Sequence, residues 1–329
     1  MRFGVVAYTP KRIFYYNDIS LMAKPTINTA LLLRPLLALL LAAFSLTACD
    51  NDDSDGGSQQ GGTNFNANTV TDEPAVARLE FPRLKEGNNK VIVYRTSSSK
   101  YDPDRVNYAV EWDCDLKSQR WSCYQMHQGY TGSYSRVVDG YMNDTKNLAP
   151  GDYYETDYIY RSGFQHGHIC PNADRKYTYD ANYQTFYMTN MQPQYAQFNG
   201  YEGANEGLWL RLENKVRDWT PRSQHDTLYV CKGGTIDGED KIISRLQGKL
   251  IVPRYFFMAI LLKNSNGYRA IGFYMEQKQQ WATNDNLTDY AVTIDQLEEL
   301  TGIDFFCNLP DKTENDVESR YVPMLWGLD

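Results

Sequence analysis

One stretch of this chain rules itself out of any folded core, and so fixes where folding can begin. Residues 50–74 read "DNDDSDGGSQQGGTNFNANTVTDEP", acidic at first and then rich in Gly, Ser, Asn and Gln, with no apolar periodicity. Such a composition cannot bury enough apolar surface to offset the entropy of ordering, and it reads as a flexible tether. The 329 residues thus divide into a leading segment, a tether over residues 49–72 and one domain over residues 73–329. That domain, roughly 255 residues, lies within the usual upper range for a single core and shows no internal repeat or second linker.

Upstream, "PLLALLLAAFSLTACDN" carries an apolar run from Leu36 to Phe44. The run is too short to span a bilayer comfortably and suits the apolar region of a signal peptide. It ends in Leu46-Thr47-Ala48-Cys49, which resembles the lipobox of bacterial lipoproteins. That resemblance implies a signal peptide over residues 1–48, cleavage before Cys49 and lipidation of its sulfur. Arg34 interrupts the apolar run, and a signal starting at Met22, with Lys24 as its basic residue, has more usual proportions. Acidic residues just after a lipidated cysteine resemble the surface-export signals of Gram-negative lipoproteins. The expectation is a lipid anchor in the bacterial envelope, at the outer membrane and facing outward.

Within the domain, alternating and aromatic-rich segments read as strands: "KVIVYR", "RVNYAVEWDC", "RWSCYQMH", "DTLYVCKGG", "YFFMAILL" and "YRAIGFYM". The chain's 26 tyrosines suit half-buried strand faces. Helical signals are fewer. Residues 206–219 place Leu208, Leu212, Val216 and Trp219 on one face, and Thr293 with Gln296 forms a capping-box pattern. The fold class expected is α+β, an antiparallel sheet with helices outside it. Five cysteines follow Cys49. In an exported domain Cys114 and Cys123, flanking a hairpin-like "DLKSQRWS", are expected to form a disulfide. Cys231 with Cys307 is a second pairing, leaving Cys170 free.

A net charge of −8 argues against coating nucleic acid with a basic surface. It leaves open a polyanion handled in one cleft by concentrated cations and a metal. The stretch "GFQHGHICPNADR", residues 163–175, holds two of the four histidines, His166 and His168. Downstream come Asn190 with Pro193-Gln194, then Asn199, Trp209, Glu213 and Arg217. In order and spacing this set resembles the DNA/RNA non-specific endonucleases, the ββα-metal nucleases that include mitochondrial endonuclease G. That family's signature is Asp-Arg-Gly-His, then Asn-x-x-Pro-Gln, an asparagine nine after the first, and Trp-x-x-x-Glu-x-x-x-Arg. The match departs in spacing only between Asn199 and Trp209, where "GYEGANEGL" reads as an insertion.

The resemblance implies a ββα-metal active-site motif and sequence-independent hydrolysis of DNA and RNA. Neutral imidazole accepts a proton from water at physiological pH, so His168 is the candidate general base. Mg²⁺, or Mn²⁺ in its place, prefers oxygen ligands and keeps many of its waters, so the Asn199 carbonyl suffices to hold it. By resemblance Glu213 bonds metal waters, Arg217 lies by the phosphate and Asn190 fixes the site. Gln165-His166 stands where the family has Asp-Arg. His166 then takes the arginine's place without its bidentate fork, and Arg161 or Arg175 compensates in substrate binding. Two other readings stand beside this one: a zinc hydrolase using His166 and His168 as ligands, and a non-catalytic surface binding protein on a nuclease scaffold.

Overall fold

The structure is a computed structural model that describes residues 62–202, 205–280 and 285–328. The signal segment, Cys49 and the tether up to residue 61 lie outside the described residues.

The chain lays down β1 (Asn89–Arg95), β2 (Val106–Asp113) and β3 (Ser118–Met126), then β4 (Gln165–His168), α1 (Tyr179–Gln184), β5 (Met191–Gln194) and α2 (Ala196–Asn199). The insertion forms a small pair, β6 (Tyr201–Glu202) with β7 (Asn205–Glu206), and leads into α3 (Leu208–Asp218). Next come β8 (Thr227–Gly234), the hairpin β9 (Ile242–Leu246) and β10 (Leu250–Pro253), β11 (Tyr255–Asn264) and β12 (Gly267–Glu276). The last elements are β13 (Ala291–Val292), α4 (Ile294–Thr301) and α5 (Asp311–Glu318).

Seven strands make an antiparallel sheet in the order β1-β2-β3-β8-β11-β12-β13. Its central strands are apolar on both faces because both faces are covered. In β11, Phe256, Met258 and Ile260 point into one core, while Phe257, Ala259 and Leu261 point into the other. The period of two along a strand forces this division. The first core is closed by α3 through Leu208, Trp209, Leu212 and Val216. The second is closed by Ile294 and Leu297 of α4, Val317 of α5 and the segment holding Ala75, Val76 and Phe81. Each large apolar side chain sealed this way contributes about 1.5–3 kcal/mol. The α+β architecture expected from the strand pattern is the one observed.

Two expectations are corrected. Cys114 and Cys123 are both free thiols, as are the other three described cysteines. Cys123 pairs across the ladder with Ala109 and points into the second core, whereas Cys114 points into the first. The sheet itself stands between the two sulfurs. Cys231 and Cys307 share the second core but are likewise unbonded. The tether also ends earlier than residue 72. Asn64 donates to the Cys307 and Leu309 carbonyls at 3.0 and 2.6 Å, and buried Asn68 donates to Val76 and Pro82.

Candidate active site

Strand β4 pairs with β5 and sets His166 opposite Pro193 and His168 opposite Met191. Alternation puts both imidazoles on one face of β4 and Gly167 on the other. A Cβ on Gly167 would overlap the buried Gln194 side chain, so only glycine lets the strand lie this close. Behind the strand, Asn190 is fully buried. It accepts from the Cys170 amide at 2.8 Å and donates to the Cys170 and Thr185 carbonyls at 2.8 and 2.9 Å. Both ends of its amide are spent on backbone two residues past His168. Asn190 therefore positions the histidine strand rather than facing a substrate.

The strand opens onto a cleft of about 580 Å³ lined by Arg136, Tyr141, Arg161, Gln165, His166, His168, Asn199 and Glu213, among others. His168 Nε2 is shut off from solvent and has no hydrogen-bond partner among the described residues. Burial first, then the positive Arg136 and the neighbouring His166 and Lys232, lowers the His168 pKa to about 3. The imidazole is neutral at physiological pH.

His166 is engaged differently. Its Nε2 lies 2.8 Å from Asp157 Oδ2, and its ring stacks on Tyr141 with centroids 3.8 Å apart. Burial lowers its pKa against the pull of the Asp157 carboxylate. Among the described residues, no third His, Cys, Asp or Glu converges with the two imidazoles at metal-ligand spacing. A zinc site needs three or four protein ligands, so the geometry gives the clamp no support.

Across the cleft, α2 carries Asn199 and α3 carries Glu213. Gly207 lets α3 begin against the end of α2, since a Cβ there would overlap the Gln197 and Phe198 carbonyl oxygens. Asn199 closes α2 and donates its Nδ2 to Gln165 Oε1 at 2.9 Å. Its carbonyl oxygen is left as the end available to a cation. Glu213, on α3, accepts from Lys232 Nζ at 2.6 Å and from Arg217 at 3.4 Å. Arg217 also donates to Asp174 Oδ1 at 2.7 Å, so Lys232, Glu213, Arg217 and Asp174 alternate in sign. Arg217 is outside the cleft lining and holds Glu213 from behind.

The two candidate cations separate. Arg161 is exposed at the cleft, in the left-handed backbone region with φ of 58°. Arg175 is not available to a substrate. It is fully buried, stacked over Tyr124 and Tyr130, and donates to the Gln125 carbonyl at 2.8 Å. Its placement corrects the expected binding role, because hydrophobic packing holds the guanidinium under the sheet. The residues missed in the sequence are Arg136, Asp157, Gln165 as a partner of Asn199, and Lys232. Lys232 alone left a signal, as one lysine in the otherwise apolar β8.

The chain matches the family model described as DNA/RNA non-specific endonuclease over residues 86–312. The chain belongs to this family. It is an endonuclease, acting on DNA and RNA without sequence specificity. A nuclease from Nostoc sp. is 29% identical over 235 residues, spanning 68% of this chain and 81% of that one. A nuclease from Serratia marcescens is 24% identical over 240 residues, spanning 70% and 85%. A chain in the crystal structure of the EndoG/EndoGI complex superposes with a TM-score of 0.56 at 18% identity, covering 74% of this chain and 96% of that one. That likeness concerns the fold.

Proposed function

We propose that this endonuclease hydrolyses phosphodiester bonds with His168 as general base and a divalent metal, Mg²⁺ or Mn²⁺, held through Asn199. The observation that carries the reading is the unpartnered Nε2 of a neutral His168 on the same cleft as Asn199 and Glu213. The donor set fits such an ion: an amide carbonyl, and a carboxylate that accepts from Lys232 and Arg217. Mg²⁺ prefers oxygen ligands and retains several waters, so few protein atoms are needed. When bound, the ion supplies positive charge beside the phosphoryl oxygens and the departing oxygen.

The chain's own residues do the rest. Once the His168 ring turns toward the cleft, its Nε2 takes a proton from water, and the water oxygen attacks phosphorus as the 3′-oxygen departs. Glu213 accepts hydrogen bonds from water in the cleft, and Gln165 orients Asn199. Arg136 and Arg161 face the cleft as permanent cations for the substrate phosphates. They occupy the role for which His166, committed to Asp157, is poorly suited. Phosphate contacts carry no base information, consistent with cleavage independent of sequence. The lipobox and the acidic residues after Cys49 support a site of action at the outer surface of a bacterial envelope.

The test is cleavage of plasmid DNA and of single-stranded RNA by the chain without its lipid tether, with MgCl₂ and with excess EDTA. Both polymers are cut with metal and neither with EDTA. Full activity in EDTA, or no cleavage in either Mg²⁺ or Mn²⁺, overturns the proposal.

A further inference from the structure

On the sheet face away from the proposed catalytic cleft, helices α4 and α5 bring acidic side chains together. Ligand oxygens of Asp295, Glu298 and Glu318 all lie within 4.8 Å of one another. Two ligands on one Ca²⁺ ion, each at about 2.4 Å, cannot be further apart than about 4.8 Å, and the three meet that pairwise limit. Glu314 and Asp304 stand beside them, linked by Asn66, whose Nδ2 donates to Glu314 at 2.8 Å and to Asp304 at 3.2 Å.

Acidic clusters on surfaces are common and mean little. Here the third carboxylate is not on the surface. Glu318 is 5% exposed, and its Oε1 is shut off from solvent with no hydrogen-bond partner. The Asn66 carbonyl oxygen is buried and unpartnered in the same way. Among the described residues none of the five carboxylates has a salt-bridge partner. Glu298 gives one oxygen to the Phe305 amide at 2.7 Å and keeps the other. A buried acceptor without a donor costs about 1–3 kcal/mol, more when charged, and is kept only where something satisfies it.

We propose that Asp295, Glu298 and Glu318 form a calcium site that ties α4 to α5. The ligands are hard oxygens of both exposed and buried carboxylates, a spread and adjustable set that suits Ca²⁺ better than the strict octahedron of Mg²⁺. The rival state is a set of protonated carboxyls sharing protons. The site is independent of the proposed catalytic chemistry, and its role is to hold the helices that close the second core.

The experiment is calorimetric titration of CaCl₂ into metal-free full chain carrying Asn199→Ala, so that binding at the cleft is removed from the signal. One calcium per chain is expected to bind, and millimolar CaCl₂ to raise the melting midpoint by about 5 °C. Adding Glu298→Gln with Glu318→Gln, which keeps shape and relieves repulsion, abolishes both effects. No stoichiometric binding in the Asn199→Ala chain, binding that survives the two glutamines, or equal binding of MgCl₂ at the same site each overturns the assignment.

Discussion

Lys232 Nζ lies 2.6 Å from Glu213 Oε1, with the lysine wholly buried and its ammonium 4.8 Å over the Trp209 ring. A strand of the central sheet thus pairs with a carboxylate on a helix, at the edge of the cleft. Removing one partner of a buried pair leaves the other uncompensated, at a cost of about 3–5 kcal/mol. Lys232→Met is expected to lower unfolding free energy by that order and to weaken cleavage at limiting Mg²⁺. Denaturant unfolding checks the first and a metal titration of activity the second. Unchanged stability and metal dependence would mean that the pair is idle.

The depressed pKa of His168 makes a signed statement about pH. Its folded value, about 3, lies below the ordinary value near 6.5. The unfolded chain therefore binds more protons between those values, and stability from this group is lost as pH falls through the window. His168→Asn is expected to narrow the stability gap between pH 4 and pH 7 in urea unfolding. A gap as wide as the parent's would show that His168 titrates normally in the folded state.

His166 tests how the replaced arginine position works. Its bond to Asp157 is one an arginine can also make, as a bidentate pair. His166→Arg is expected to keep or raise cleavage, most visibly above neutral pH, with bound metal unchanged. Parallel loss of metal and activity in folded protein would revive the zinc clamp.

For the anchor, palmitate labelling in the native bacterium is expected to mark the parent, and Cys49→Ala to abolish the label. A secreted but unlabelled parent would contradict the lipobox reading.

Much of the fold was legible because period-two patterns and caps are local. Residues 256–262 alternate between two cores, and Thr293 with Gln296 closes the capping box at α4. The candidate site's clustering was legible where motif residues sit on regular elements and line one cleft: His168 on β4, Asn199 at the end of α2, Glu213 on α3. What escaped is set by tertiary position. Cys114 and Cys123 are near in sequence, yet alternation sends them to opposite faces. Arg175 follows the histidines closely, but aromatic stacking takes it inside. Arg136 reaches the cleft, and Asp157 reaches His166, from irregular segments, where no spacing announces which way a side chain points. Asn64 to Asn68 read as tether because their order comes from hydrogen bonds to residues beyond 300 rather than from apolar burial.

The most direct test of the catalytic proposal is the single-turnover rate of plasmid nicking by His168→Ala at saturating Mg²⁺. Melting and metal binding of the variant show that the site remains built. If Nε2 of His168 takes the proton from water, the rate falls by roughly 10²–10⁴, the usual range for losing an acid–base group. A folded, metal-loaded variant that nicks within a few-fold of the parent rate would mean that another group removes that proton.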